Sequence, residues 1–254
     1  MEVILNINDL KYENLWNTIS LSIEKGKLTT LAGSNNCGKT TLSRILDRKI
    51  SGNFNINLKG KDIQDYSLEE YDHLVQVVYP LEAHFHENKV EEELERISKD
   101  KMSFFKEQGL IPNFFSKEIK KLSTQEIIWL QLLIAISKAE ELIVLDGIDK
   151  YLSNQELEYV YLFIKECIRK YKQAFFMMTT SLESTIYSDK LYILKDKEVA
   201  LHGEPLTILQ KDNIINKAGL NVPFMIDLSV KLRDYDLVKD IQLTKEGLID
   251  ILWK

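Results

Sequence analysis

The feature that most constrains this chain is the stretch of residues 27–46, KLTTLAGSNNCGKTTLSRIL. It places Gly33 and then Gly38-Lys39-Thr40 at the spacing of a phosphate-binding loop between a strand and a helix. The flanks fit. Residues 28–32 are a short apolar, Thr-rich run suited to a buried strand, and residues 41–46 continue at helical spacing with Leu42, Ile45 and Leu46 apolar. A glycine-rich turn in that position lets successive backbone N–H groups point inward, where they meet phosphate oxygens at the positive end of the helix dipole. Gly33, Ser34, Asn35, Asn36, Cys37, Gly38, Lys39, Thr40 and Thr41 are therefore candidate nucleotide-binding residues. Lys39 is expected to reach the β- and γ-phosphates, and Thr40 to set its hydroxyl on Mg²⁺.

Composition narrows the partners. A net charge of −6 over 254 residues gives no overall basic footprint, so nucleic acid is not an expected partner. With 44% hydrophobic and 28% charged residues, the chain has room for one large domain and a small appendage. The start MEVILNINDL lacks a basic segment followed by an apolar core, and no run of about 18 apolar residues occurs. The expectation is a cytosolic chain without a spanning segment. Its two cysteines, Cys37 and Cys167, make neither a disulfide framework nor a metal spacing.

Along the chain, residues 2–7 and 16–23 read as strands around a turn at residues 11–14. Tyr12, at the edge of the nucleotide site, is either an adenine-stacking ring or an ordinary sheet tyrosine. Residues 53–58 alternate polar and apolar, residues 60–63 read as a turn, and residues 74–79 read as a strand stopped by Pro80. Residues 90–121 are charged and helical in period, with a break at Pro112, and predict a small helical subdomain. Ser123 with Glu126 three residues on, ahead of a long apolar run, is the capping-box sign of a helix start. Residues 141–146, ELIVLD, predict a buried strand that delivers Asp146 at its carboxyl end, where open α/β sheets keep metal and phosphate chemistry. A helix over 155–171, a strand over 174–178, a hairpin over 191–201 and a mostly helical tail over 205–254 complete the reading.

This order of motifs resembles the ATP-binding subunits of ABC transporters. LSTQE stands where that family has its LSGGQ signature, and LIVLDG where it has the acidic Walker B strand. LYILKDKEVALHGEP is similar to the segment after the family's switch histidine. The tail NKAGLNVPFMIDLSVKLRDYDLV with LTKEGLIDILW resembles the energy-coupling-factor (ECF) ATPases, which power vitamin and metal uptake. The resemblance implies an α/β P-loop NTPase core with an N-terminal antiparallel β subdomain, a helical subdomain at about 85–138 within residues 1–204, and a C-terminal helical extension over 205–254. It also implies ATP and Mg²⁺ as cofactors, with Thr40 and Asp146 toward the metal. A second ABC ATPase and an integral membrane subunit are the implied partners, on the cytoplasmic face of the membrane.

The departures from the family pattern carry as much as the matches. Gly147 stands where the family has the Glu that polarises the attacking water, Thr180 stands for the switch histidine, and Tyr79 stands for the glutamine that senses Mg²⁺ and water. Ser153 replaces an Asp. The signature keeps Ser123, which the family presents to the opposite subunit's nucleotide, but carries Thr124, Gln125 and Glu126 in place of two glycines and a glutamine. Glu126 reads as a helix cap. The helical insertion is also short for the family, which bears on docking to a membrane subunit. Loss of base, switch and sensor together implies Mg·ATP binding with weak or absent hydrolysis at this chain's own site, and a heterodimer with an intact ATPase. Two alternatives are an active ATPase that uses Asp149 as an unconventional base and an ATP-dependent regulatory or scaffold module outside transport.

Overall fold

A computed structural model describes residues 2–95, 97, 99–107 and 115–252. In chain order the elements begin with β1 (Val3–Tyr12), β2 (Trp16–Glu24), β3 (Leu28–Ala32) and α1 (Lys39–Leu46). β4 (Ile56–Leu58), β5 (Lys61–Asp62), α2 (Leu68–Leu74) and β6 (Val75–Val78) follow. Next come α3 (Val90–Leu94), α4 (Lys99–Glu107), α5 (Thr124–Lys138), β7 (Leu142–Asp146), α6 (Asn154–Tyr171) and β8 (Ala174–Thr179). The hairpin of β9 (Lys190–Lys195) and β10 (Glu198–Gly203) leads into α7 (Pro205–Leu209), α8 (Asp212–Lys217), α9 (Phe224–Asp234) and α10 (Lys245–Leu252).

The strands join in the order β5-β4-β1-β2-β10-β9-β3-β8-β7-β6. The two halves differ in kind. β9, β3, β8, β7 and β6 run parallel, and their central members are buried along their whole length, as sequence runs such as LIVLD and AFFMMT require. β1, β2, β4 and β5 pair antiparallel, and the alternating pattern of β2 shows a sheet with one wet face. A single bridge, Glu198 to Thr18, links them.

The period of two sorts β7 between two cores. Ile143 and Leu145 pack with Leu132, Leu133 and Ile136 of α5 and with Leu157, Tyr161 and Ile164 of α6. Leu142 and Val144 face the other way, with Leu42, Ile45 and Leu46 of α1 and with Ile4, Ile7, Ile19 and Ile56 of the antiparallel half. α1 is thus clamped between the two halves. A third cluster unites Leu191, Ile193 and Leu201 of the hairpin with Ile208, Leu209, Ile215 and Ile226, so the residues after Glu204 share a core with β9 and β10.

Three helices, α2, α5 and α6, open with the same device. Ser67 with Glu70, Ser123 with Glu126, and Ser153 with Glu156 each form a reciprocal capping box. The expectation for Glu126 is met: its Oε2 accepts from Ser123 N–H at 2.9 Å, and its Oε1 pairs with Lys117 at 2.7 Å.

Local differences from the sequence reading have physical reasons. Tyr12 closes β1 rather than the turn, because its backbone pairs with Trp16. The turn expected at residues 60–63 is a two-residue loop one position earlier. Lys59 and Gly60 take φ 52° and 80°, the left-handed pair that matches strand twist in a tight hairpin. Helix α2 went unread although Ser67-x-x-Glu70 announces it. The helical reading of 90–121 resolves into α3, α4 and a short 3-10 turn at Ile119–Lys121, while the break at Pro112 lies outside the described residues.

Candidate functional site

The loop after β3 forms one wall of a cleft of about 300 Å³ at the carboxyl ends of the parallel strands. Asn36 and Gly38 both have positive φ, 62° and 100°, which turns the backbone sharply into α1. A side chain at Gly38 is excluded twice over: the φ is left-handed, and a Cβ would lie 2.6 Å from the Trp16 indole nitrogen. That indole, itself buried, donates to Cys37 O at 3.0 Å. Trp16 therefore braces the loop from β2, a role that sequence reading missed because nothing in the spacing ties residue 16 to residue 37. The Lys39 ammonium, buried at 7% exposure, donates to Gly33 O (2.6 Å) and Ser34 O (2.8 Å), which arches the loop over its own side chain.

Asp146 forms the floor. It is buried at the end of β7, and Ser43 Oγ, one turn into α1, donates to its Oδ2 at 3.0 Å. Ser43 is a second residue that sequence reading passed over. The structure brings Asn35, Asn36, Gly38, Lys39, Thr40, Thr41 and Asp146 to one cleft, together with Gly147, Asp149, Lys150 and Thr180 of the opposite wall.

On that wall Gly147 opens a 3-10 turn at φ 66°. Asp149 Oδ2 accepts from both the N–H and the hydroxyl of Thr180, each at 2.9 Å, which ties the end of β8 to the turn after β7. Asp149 Oδ1 is buried with no hydrogen-bond partner among the described residues. Tyr79 borders a side recess of about 140 Å³ that shares Thr40, Asp146 and Gly147 with the cleft. Burial, reinforced by the charges of Asp47 and Asp146, pushes its phenol far above its ordinary value, so it stays protonated and has no capacity to act as a base.

Five candidate binding residues do not line the cleft, and three of them, Gly33, Ser34 and Cys37, belong to the loop itself, where Gly33 O and Ser34 O accept from Lys39. The Tyr12 ring is not among the residues lining the cleft; it packs against Trp16 and Phe54, with centroids 6.2 Å away in each case. Leu15, in the turn after it, does line the cleft. Ser123 is exposed at the start of α5 and likewise does not line it.

The donor set fits Mg²⁺ with a nucleotide. Ser43 engages one Asp146 oxygen and leaves the other without a partner among the described residues, and the exposed Thr40 shares the same lining. One carboxylate and one hydroxyl suit a hard cation whose other ligands are phosphate oxygens and water. No cluster of three or more His, Cys, Asp or Glu that would cage a metal by itself occurs among the described residues.

Known proteins match both fold and sequence. The energy-coupling factor transporter ATP-binding protein EcfA1 of Mycoplasma mobile is 23% identical over 245 aligned positions, covering 88% of this chain and 86% of that protein. EcfA of Pediococcus pentosaceus is 24% identical over 262, covering 96% and 94%. The solved structure of cbiO1 from Clostridium perfringens, described as part of the ABC transporter complex cbiONQ, superposes with a TM-score of 0.73 at 17% identity. It covers 92% of this chain and 100% of that one, a likeness of fold. The sequence pattern of the ABC transporter family matches residues 16–148, just over half of the chain. Since that match runs from the indole bracing the loop to the turn that follows the Asp146 strand, the chain belongs to the ABC transporter family, among its ATP-binding subunits.

Proposed function

We propose that this chain is an ATP-binding subunit of an ECF-type import complex that holds Mg·ATP and hydrolyses it weakly or not at all at its own site. Residues 1–204 form the ATP-binding domain, with a helical subdomain at about 85–138, and residues 205–254 form its extension. Gly33, Ser34, Asn35, Asn36, Cys37, Gly38, Lys39, Thr40 and Thr41 embrace the phosphates, and Thr40 and Asp146 face the metal. The names and full-length coverage of the relatives support the ECF assignment.

One observation carries the catalytic half of the reading. Lys39, Thr40 and Asp146 converge on one cleft, while the residue after Asp146 is a glycine with no group to orient water. Thr180 and Tyr79 offer no substitute, since one is bound to Asp149 and the other is a protonated phenol. A homodimer would then contain no competent site. The partner is a second ABC ATPase with its base and switch intact, to which this chain lends Ser123, and a membrane subunit joins the pair. No helix among the described residues is long and apolar enough to cross a membrane, so attachment at the cytoplasmic face runs through that subunit.

The test is an ATPase assay of the co-purified complex. Removing the partner's catalytic Glu should abolish turnover, and restoring Gly, Gly and Gln at residues 124–126 of this chain should raise it. Full activity in the partner mutant, or uptake driven by a homodimer, would overturn the reading. A second reading rests on Asp149, which lines the cleft and whose buried Oδ1 has no partner among the described residues, a carboxylate oxygen that could take a proton from water once water reaches it. Turnover by the isolated chain that disappears in Asp149→Asn would favour it.

A further inference from the structure

The lysine three residues after Gly147 is not accounted for by any role described so far. Lys150 lines both the main cleft and the side recess, in each case beside Thr40, Asp146 and Gly147, so it stands where the two cavities meet. Its side chain folds back over the bare face of Gly147. A Cβ built on that glycine would lie 3.8 Å from both Lys150 Cε and Lys150 Nζ. The ammonium has no ion-pair partner among the described residues. The acids that share its lining contact other groups, Asp146 with Ser43, Asp149 through one oxygen with Thr180, and Glu82 with Arg44 at 2.7 Å and Lys49 at 3.6 Å, and none forms an ion pair with Lys150 among the described residues. An unpaired cation beside Thr40, across from a loop that binds phosphate, is placed to meet a charge that the ligand supplies.

We propose that Lys150 is a second phosphate-binding lysine of this site, taking the terminal phosphate of a bound nucleoside triphosphate over the open face of Gly147. This rests on the nucleotide-site reading above and deepens it. Lys39, held to the loop carbonyls, serves the β-phosphate that a diphosphate and a triphosphate share as well as the γ-phosphate, whereas Lys150 serves only the added one. The consequence is specificity: the site retains triphosphate in preference to diphosphate without a switch histidine. Gly147 is then the condition for Lys150, since a carboxylate at 147 would capture its ammonium.

The test is equilibrium titration of the full chain, with Mg²⁺, against ADP and the non-hydrolysable β,γ-imido analogue of ATP. Lys150→Met should weaken the triphosphate analogue on the order of tenfold and change ADP affinity by less than about twofold. Lys150→Arg should restore most of the difference. Lys150 is exposed, and a matching melting temperature verifies that the variants are folded. Equal weakening toward both nucleotides, or no change in either, overturns the inference while leaving the nucleotide site standing. A wild-type chain that binds neither nucleotide overturns both.

Discussion

The two walls of the cleft are built by opposite means. On the loop side the shape is held by the backbone and by groups behind it: Trp16 grips Cys37 O, Lys39 grips two carbonyls, and Gly38 admits the indole. On the Gly147 side the polar groups bind each other, Asp149 to Thr180, and the free cation hangs from an exposed lysine. The shape of the first wall is thus fixed by the fold, which is the preorganisation that the proposed nucleotide site requires. The second is organised to complete itself. On the reading proposed above, holding a phosphate and splitting one impose separable demands on the two walls.

The contrast breaks most visibly at Trp16. Trp16→Ala removes a buried ring from the second core and the brace from the loop, and should cost about 3–5 kcal/mol of stability by thermal or denaturant unfolding. A loss below 1 kcal/mol, on the order of a surface substitution, would mean that the loop holds its shape alone. Lys39→Ala should leave the chain folded but weaken Mg·ATP on the order of 100-fold by titration, because charge-assisted bonds to phosphate disappear. Unchanged affinity would show that the loop wall does not receive phosphate.

On the other wall, Gly147→Glu tests whether a carboxylate placed after Asp146 brings turnover. A non-glycine residue at φ 66° costs about 1–2 kcal/mol, so the variant should melt earlier. It should gain no turnover as an isolated chain, because its carboxylate meets Lys150 and lacks a partner histidine. Recovered ATPase activity would erase the distinction between the walls. The smallest effect belongs to Glu126. Lys117 and the Ser123 N–H hold its carboxyl below the usual carboxylate range. The stability this adds is present above the unfolded pKa and is lost as pH falls through the lowered folded value. At neutral pH Glu126→Gln should cost about 0.5 kcal/mol or less, since the pair is largely exposed, and the gap from wild type should close in acid.

Much of this was legible because local sequence decided it. β3 and its loop follow from the KLTTLAGSNNCGKTT run alone, and Asp146 follows from a strand that ends in a carboxylate. The start of α5 follows from Ser123 and Glu126. What escaped depended on distance along the chain. Trp16 meets Cys37 across 21 residues, Ser43 meets Asp146 across 103, and the place of Tyr12 beside Phe54 depends on how β1 and β4 pair. Lys150 escaped for a different reason. Its side chain lies over the bare face of Gly147, a contact that spacing along the chain does not reveal.

The three capping boxes bear on how this chain could change from here. Glutamine closes a Ser-x-x-Glu/Gln box as well as glutamate does, so a return from Glu126 to the family's residue keeps α5 anchored. A side chain at Gly147 would instead carry the strain of a left-handed backbone, with its Cβ in van der Waals contact with Lys150. Position 126 can thus vary between the two residues without unfastening the helix, whereas position 147 cannot take a side chain without backbone strain. Drift at the first position is close to neutral for the fold, whereas drift at the second is opposed by stability alone.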